Sequence, residues 1–167
     1  MTILGDKIKT EEQMHSSIKR IAFQIYENNM DEKDLVVVGI APRGSELAKE
    51  LGKSIESLSG IKIRYGTLKI NKDNPTENLA CDLPLSELEN KSIVVVDDVL
   101  NTGSTLIYAV RHFLKIQVKQ IKTAVMVNRN HKKFPIKADF KGISLSTSTN
   151  EHVSVILKGA DSGIYLR

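Results

Sequence analysis

The sequence lacks several features that define other classes of protein. It has one cysteine, Cys81, so it can form no internal disulfide and no cysteine cluster that binds a metal ion. No stretch approaches the roughly 20 apolar residues of a membrane-spanning helix. No apolar signal region stands at the N-terminus, so we expect a cytoplasmic protein without membrane contact. The P-loop and the glycine-rich dinucleotide fingerprint are also absent, so the nucleotide sites built on those motifs are excluded.

Helical and strand patterns alternate along the chain. With 167 residues, 41% of them apolar, the chain can bury one sizeable core, and we expect a single domain over residues 1–167. Helices are predicted after a capping box at 10–13, from Leu47 to Leu58 and from Leu106 to Leu114, and strands at 35–40, 61–65, 93–96, 121–127 and 153–157. Helices between strands indicate an α/β fold with a parallel sheet, in which ligands bind outside the carboxyl ends of the strands.

The segment VDDVLNTGST, residues 96–105, is the most informative part of the sequence. The β-branched run at 93–96 predicts a central strand buried on both faces, with Asp97 and Asp98 at its carboxyl end. The turn at 102–105 precedes a helix, where unpaired backbone N–H groups, a partial positive charge and a small glycine suit a phosphate. The two carboxylates suit hydroxyl groups or a hydrated cation, so the pattern predicts a site for a ribose phosphate and Mg²⁺.

Two other interpretations of the acidic pair stay open. Such a pair after a strand also occurs as a helix cap or as solvated loop charge. The phosphoacceptor receiver domain has an acidic pair as well, but there it follows the first strand. Asp97 and Asp98 follow a later strand and lead into Thr-Gly-Ser-Thr, which favours the sugar-phosphate site.

The stretch VVVDDVLNTGST, residues 94–105, resembles the diphosphoribosyl-binding motif of the type I phosphoribosyltransferases: a hydrophobic strand, two acidic residues and a Thr-Gly-x-Thr turn. Further stretches resemble the PyrR group, bifunctional regulators of pyrimidine operon mRNA with uracil phosphoribosyltransferase activity. They are RIAFQIYENN, DLVVVGIAPRG, VNRNHKKFPIKADFKG and GIYL. The resemblance covers most of the chain and implies a type I phosphoribosyltransferase fold, an α/β architecture with a central, mostly parallel sheet flanked by helices and a small hood.

The resemblance also implies ligands and residue roles. The ligands would be 5-phosphoribosyl 1-diphosphate (PRPP) and a nucleobase or nucleotide, with Mg²⁺ as cofactor. Asp97 and Asp98 would be catalytic, fixing the ribose hydroxyls and holding Mg²⁺ through water. The substrate-binding residues would be Arg43 and Gly44 in a diphosphate loop, Val99, Leu100, Asn101, Thr102, Gly103, Ser104 and Thr105 around the 5-phosphate, and Phe140 and Lys141 beside the base. Similar proteins associate, so a homo-oligomer, a dimer or higher, is expected.

Two segments receive covering roles from the resemblance. Residues 66–90 hold two prolines and many polar residues, and loops of this length are commonly functional or disordered. Similar enzymes have a mobile flap here; the alternative is an excursion without a role. Residues 128–150 would form the hood, with Phe140 and Ile143 covering the base, although both residues fit equally well in the core of a small β lobe.

Positive charge is concentrated in one part of the chain. The net charge is +4, but residues 111–141 carry nine Lys and Arg against one acid, Asp139, so the remainder is −4. A basic surface of this kind can bind a polyanion, and PyrR proteins use one for RNA; the alternative is that the lysines only solvate an outer face. Stacking aromatics are few, with Phe134 and Phe140 nearby. For His131 we expect a surface or RNA-contacting role rather than a catalytic one.

Two functions of different class therefore stay open. One is a pentosyltransferase that moves the 5-phosphoribosyl group of PRPP to a nucleobase, uracil by resemblance. The other is a nucleotide-sensing regulator that binds RNA, with weak or no catalysis. Three departures from the PyrR pattern weigh against catalysis. The flap sequence at Leu68–Lys72 lacks the aromatic and arginine of that group, Asn101 and Ser104 replace an aromatic residue and an arginine beside Thr-Gly, and Phe23 replaces a histidine.

Overall fold

The computed structural model describes residues 4–167, which form two β-sheets and three α-helices. In chain order the elements are β1 (Asp6–Thr10), α1 (Glu11–Asn28), β2 (Asp34–Ile40), α2 (Arg43–Leu58), β3 (Lys62–Lys69), β4 (Ala80–Cys81), β5 (Ser92–Leu100), α3 (Ser104–Phe113), β6 (Gln120–Arg129), β7 (Phe140–Leu145), β8 (Val153–Ile156) and β9 (Gly163–Leu166). A short 3₁₀ turn, Leu85–Glu87, lies between β4 and β5. No helix within residues 4–167 has the length and apolarity needed to cross a membrane.

The larger sheet has six strands in the order β4-β3-β2-β5-β6-β7. The strands β3, β2, β5, β6 and β7 run parallel, and the two-residue β4 pairs antiparallel with β3. Val37, Val38, Val94 and Val95 in the two central strands are at most 1% exposed, as expected for parallel strands covered on both faces. The predicted α/β fold with a mostly parallel sheet is confirmed.

Helices cover both faces of this sheet and bury two apolar clusters. On one face, Met14 of α1 and Leu51 of α2 pack with Val37. On the other face, Phe113 of α3 packs with Val38. Because alternate residues of a strand point to opposite faces, each central strand contributes to both clusters, and the site described below lies where these strands end.

The helix ends follow the sequence signals in part. The capping box of α1 is present, since Gln13 N donates to Thr10 Oγ1 at 3.2 Å and Thr10 N donates to Gln13 Oε1 at 3.0 Å. Leu58 and Leu114, which the apolar spacing placed on buried faces, are 47% and 62% exposed. They lie at the last residue of α2 and just after α3, beyond the part of each helix that packs on the sheet.

Two strands, β3 and β5, each continue four residues past the predicted end. β5 continues to Leu100, so Asp97 and Asp98 lie within the strand rather than after it. β3 continues to Lys69 and pairs with β2 up to Leu68, so residues 66–69 are strand rather than flap. The strand ends were predicted from the apolar runs. Backbone pairing with a neighbouring strand continues past those runs into polar residues, so the prediction ended each strand too early.

The smaller sheet is built from both ends of the chain, in the order β1-β9-β8, with antiparallel pairing throughout. Residues 140–145, which fall in the predicted hood at 128–150, instead form β7 at the edge of the larger sheet. The lobe beside the main sheet therefore comes from the chain ends, which the sequence pattern alone did not bring together.

Candidate active site

The acidic pair lies in the central strand of the larger sheet. Asp97 is 4% and Asp98 is 7% exposed, and Asp98 N donates a hydrogen bond of 2.9 Å to Asp97 Oδ1. Burial, followed by the charge of Asp98, raises the pKa of Asp97 from its ordinary value of 3.8 to about 8, while Lys72 acts in the opposite direction. Two buried carboxylates this close favour a cation or hydroxyl donors beside them, because either stabilises the ionised form.

The first turn of α2 approaches the acidic pair closely. A Cβ atom on Gly44 would lie 2.6 Å from Val96 O and 3.1 Å from Asp97 Cα, so only glycine allows this approach. Arg43 Nη1 lies 3.9 Å from Asp98 Oδ2, and the Arg43 side chain is 48% exposed. The loop predicted at Arg43 and Gly44 is wrong, since these residues begin α2, and Gly44 is buried against β5.

The turn at 102–105 has the geometry of a helix start. Gly103 has a φ of 88° and caps α3, and a Cβ atom there would lie 2.5 Å from Ile136 Cγ2. The Thr102 carbonyl oxygen accepts from Lys133 N at 2.8 Å, which fixes the turn to the segment after β6. Thr102 Oγ1 accepts from Ser104 N at 3.2 Å. The backbone N–H groups at this end of α3 carry the positive end of the helix dipole.

Two adjoining cavities lie along these residues. The first, of about 240 Å³, is lined by Lys72, Asp97, Val99, Leu100, Asn101, Thr102, Gly103, Ser104, Thr105 and Leu106. The second, of about 200 Å³, is lined by Ile40, Ala41, Pro42, Arg43, Lys72, Asp97, Asp98, Val99, Asn101, His152 and Val153. The cavities share Lys72, Asp97, Val99 and Asn101, so the acidic pair stands between the α3 turn and the start of α2.

Two polar residues on these walls, Lys72 and His152, were not predicted as site residues from the sequence. Lys72 lines both cavities and belongs to the segment predicted as a flap, so its position in that segment was the available signal. His152 lines the second cavity and precedes β8, where its backbone exchanges hydrogen bonds of 2.7 and 3.0 Å with Arg167. No local pattern predicts His152, because the small sheet that carries it depends on pairing between distant segments.

Phe140 and Lys141 are not brought to the acidic pair. Phe140 is 9% exposed and packs in the cluster beneath α1 and α2, so it is a core residue of the larger sheet and not of a small β lobe. Lys141 has an exposed side chain, and its carbonyl oxygen accepts from Arg20 Nη1 at 3.1 Å. Neither residue lines the two cavities described above.

The basic stretch at 111–141 divides into buried, paired and exposed residues. Arg129 is 7% exposed, and the Lys119 ammonium pairs with the carboxylate of Glu32, whose pKa is lowered chiefly by that hydrogen bond. Apart from Lys119, which is exposed as well as paired, the exposed members are Arg111, Lys115, Lys132, Lys133, Lys137 and Lys141. The basic surface is therefore smaller than the sequence count suggests, because at least two cations serve contacts within the fold.

The acidic pair has the ligands that Mg²⁺ uses when it binds together with a phosphorylated substrate. Mg²⁺ prefers oxygen ligands, keeps several waters, and usually binds through one or two carboxylates together with substrate phosphates. Asp97 and Asp98 supply two such carboxylates on the wall of the second cavity. Within residues 4–167, no group of three or more His, Cys, Asp or Glu side chains converges as a metal site. The donor set suits an ion that arrives with its phosphorylated substrate.

A comparison with protein families identifies the chain. The profile described as "Phosphoribosyl transferase domain" matches residues 5–158. The chain belongs to the phosphoribosyltransferase family. Among curated relatives, the "Bifunctional protein PyrR" of Macrococcus caseolyticus is 34% identical over 166 residues, covering 95% of this chain and 92% of the relative. That of Caldicellulosiruptor bescii is 34% identical over 164 residues, covering 93% and 90%. The resemblance to the PyrR group is confirmed.

Solved phosphoribosyltransferase structures share the fold. The hypoxanthine-guanine phosphoribosyltransferase of Bacillus anthracis superposes with a TM-score of 0.80 at 19% identity, covering 98% of both chains. The hypoxanthine phosphoribosyltransferase of Trypanosoma cruzi has a TM-score of 0.81 at 18% identity, covering 98% of this chain and 97% of the other. At these identities the likeness establishes the architecture, and substrate choice depends on the site itself.

Proposed function

We propose that this phosphoribosyltransferase moves the 5-phosphoribosyl group of PRPP to a nucleobase and releases diphosphate. The proposal depends on one observation: two adjoining cavities share Asp97 and Asn101, one walled by the turn at 102–105 and the other by Asp98 and Arg43. PRPP carries phosphoryl groups at both ends of a ribose. The site correspondingly has groups suited to anions on both sides of an acidic pair.

The turn at 102–105 would hold the 5-phosphate. Backbone N–H groups in the first turn of α3 have no partner within the helix and form the positive end of its dipole. The hydroxyls of Ser104 and Thr105 line the same cavity and add donors. Because the 5-phosphate is remote from the reacting carbon, its binding energy would serve to align the ribose for the chemical step.

The acidic pair would act at the ribose. During transfer, the bond between the anomeric carbon and the diphosphate oxygen breaks, and its electron pair leaves with the diphosphate. The electron pair of a base nitrogen forms the new bond, and the proton of that nitrogen is released. Asp97 and Asp98 would accept hydrogen bonds from the ribose hydroxyls, and their charge would favour the cation-like carbon. Mg²⁺, when bound with PRPP, neutralises charge on the diphosphate.

The second cavity would hold the diphosphate and the base. Arg43 and Lys72 line it and carry the positive charge that a departing diphosphate requires. His152 offers ring nitrogens, and Val153, which is 5% exposed, offers an apolar contact. We propose uracil as the base because of the resemblance to the PyrR group. None of these residues forms a covalent bond to substrate in this scheme, so the protein positions and stabilises.

A steady-state assay with PRPP, Mg²⁺ and separate bases tests the proposal. We expect diphosphate and uridine 5′-monophosphate (UMP) from uracil, no product from hypoxanthine or guanine, and no turnover when a chelator removes Mg²⁺. The control is Lys53→Met, on the exposed face of α2, which should retain full activity. Product from a purine alone would overturn the uracil assignment and retain the transferase. Absence of product with every base would overturn the transferase itself.

We propose RNA binding as a second function, based on the exposed cations of the stretch 111–141. Lys132 and Lys133 follow the end of the buried strand β6 after two intervening residues. Lys133 N donates to the carbonyl oxygen of Thr102, so this basic segment contacts the α3 turn. Surface cations of this density bind a phosphate backbone with strong salt dependence. A nucleotide at the α3 turn and RNA at Lys132 and Lys133 would then contact two segments that are hydrogen-bonded to each other.

A titration with pyrimidine-operon leader RNA and a length-matched scrambled RNA tests this second function. We expect affinity for the leader RNA to fall steeply with salt and to fall further in the double variant Lys132→Met/Lys133→Met. Lys53→Met is again the control. Absent or salt-independent binding, or equal affinity for both RNAs, would leave the protein without the regulatory function.

A further inference from the structure

Arg129, the last residue of β6, is a buried cation whose recorded hydrogen bonds all go to neutral oxygens. Arg129 as a whole residue is 7% exposed. Nε and Nη2 donate to Thr147 Oγ1 at 2.9 and 2.7 Å, and Nη2 also donates to the carbonyl oxygens of Ser148 at 3.2 Å and Glu151 at 2.7 Å. Nη1 donates to Asn101 Oδ1 at 2.9 Å. An arginine stays charged in a protein, so the positive charge of Arg129 is held here by neutral acceptors.

These contacts join two parts of the pocket that are distant in sequence. Asn101 lies between β5 and the α3 turn and lines both cavities. Thr147, Ser148 and Glu151 form the connection between β7 and β8, and the next residue, His152, lines the second cavity. The Arg129 guanidinium therefore holds both Asn101, which precedes the α3 turn, and the loop that carries His152.

The contact also fixes the orientation of the Asn101 side chain. An arginine has donors and no acceptor, so the Asn101 amide must turn its oxygen toward Arg129. The amino group of the same amide, a donor, then remains for a ligand in the cavities that Asn101 lines. Without Arg129 the amide could present either its oxygen or its amino group, and an oxygen would repel a phosphate.

The charge of Arg129 acts in the same direction. A buried charge without a counter-charge is costly, and the recorded acceptors compensate it only with dipoles. An anion bound beside Asn101 would add the missing negative charge, so ligand binding and Arg129 would stabilise each other. The effect requires a phosphorylated ligand, because a neutral nucleoside brings no charge.

We propose that Arg129 is a positioning residue that orients Asn101 as a phosphate donor and fixes the loop of His152 beside the same pocket. The inference deepens the proposed function, since it concerns the phosphorylated ligand of that site. It assigns to a residue of the basic stretch a role behind the wall of the pocket, through Asn101, rather than on the surface.

Calorimetric titrations with UMP and with uridine, together with thermal unfolding, test the proposal. Asn101→Asp removes the amino donor and gives Arg129 a carboxylate partner. We expect UMP affinity to fall at least about tenfold, uridine affinity to stay unchanged, and Tm to rise by about 2 to 4 °C. Asn101→Ala should weaken UMP binding without raising Tm. A residue with only a structural role would not separate UMP from uridine in this way.

A double-mutant cycle isolates the link between the two side chains. Arg129→Met should weaken UMP binding about tenfold in the otherwise native chain and less than about twofold in the Asn101→Ala background. Equal losses in both backgrounds would overturn the proposal. Should Arg129→Met fail to fold, the comparison of Asn101→Asp with Asn101→Ala decides alone, and a lower Tm for the aspartate variant would overturn the link. Should the native chain bind neither UMP nor PRPP, the proposed function fails, and the Tm comparison still tests the contact.

Discussion

The two cavities of the pocket are built in different ways. The first is lined mainly by consecutive residues at 99–106, together with Asp97 and with Lys72 from the segment between β3 and β4. The second draws on four separate parts of the chain: the end of β2 with the start of α2, Lys72, the end of β5, and the residues at 152–153. The first cavity is a local structure that a strand, a turn and a helix specify together, whereas the second exists only when the whole fold is assembled.

The difference has consequences for energetics as well as for recognition. The first cavity is shaped mainly by the backbone of the α3 turn. Its binding groups are therefore mostly backbone N–H groups, which most side-chain substitutions leave in place. Charged side chains from separate elements define the second cavity, and Arg43 is half-exposed at its edge. Substitutions should therefore act on the first cavity through backbone conformation and on the second through charge.

The largest expected effect is at the acidic pair, of which Asp97 lines both cavities and Asp98 lines the second. Replacing Asp98 by Asn keeps its shape and removes the negative charge that would stabilise the cation-like carbon. We expect kcat/KM with PRPP to fall by about 10²- to 10³-fold, with a similar loss for Asp97→Asn. Asp161→Asn, at an exposed position in the turn before β9, is the matched control and should keep full activity. A loss of less than about threefold at both positions would show that the pair has no part in transfer.

The first cavity could be predicted from the sequence because most of the residues that line it are consecutive. A β-branched run, two carboxylates and Thr-Gly-Ser-Thr before an apolar helix specify strand, turn and dipole within one short segment. The roles of these residues as ligand contacts stay predictions until a ligand is measured. The error at Asp97 and Asp98, which lie inside β5, came from reading polarity as the end of a strand that backbone pairing carries further.

The second cavity and the smaller sheet could not be predicted in the same way. His152 reaches the pocket because β8 pairs with β9 and β9 with β1, contacts that join the two ends of the chain. From the sequence, Arg129 was counted with the surface cations of the basic stretch. Local composition does not show that the loop at 147–151 covers it. Periodicity reports which face of an element is buried, and it does not report which distant side chains meet there.

Gly103→Ala should break the first cavity through its backbone. The residue has a φ of 88°, and a Cβ atom would lie 2.5 Å from Ile136 Cγ2, so alanine adds both strain and a clash. We expect the free energy of unfolding to fall by about 1 to 3 kcal/mol and the KM for PRPP to rise. Gly60→Ala is the control, because a Cβ atom there meets open space. Equal stability of the two variants, measured by urea unfolding, would contradict a strained turn.

Protonation of Asp97 should make the stability of the ligand-free protein depend on pH. Burial and the neighbouring Asp98 raise the pKa of Asp97 to about 8 in the folded protein, so between pH 4 and pH 8 the folded state holds a proton that the unfolded chain has lost. The free energy of unfolding should therefore fall as pH rises through this range, by at most about 1.4 kcal/mol per pH unit. Asp97→Asn should flatten this dependence in urea titrations at several pH values. Parallel curves for the variant and the native chain would contradict the assignment.

The smallest expected effect, and the one that separates the cavities most sharply, is at Lys72. This side chain lines both cavities and opposes the raised pKa of Asp97, so its charge should favour the ligand with more phosphoryl groups. We expect Lys72→Met to weaken PRPP binding by about five- to tenfold, about 1 kcal/mol, and UMP binding by less. Raising the salt concentration should reduce the difference between variant and native chain, because salt screens an exposed charge. Lys69→Met, at an exposed position of β3, controls for loss of a nearby cation. Equal weakening of PRPP and UMP would place the Lys72 charge at the 5-phosphate rather than at the diphosphate, and would reverse the division between the two cavities.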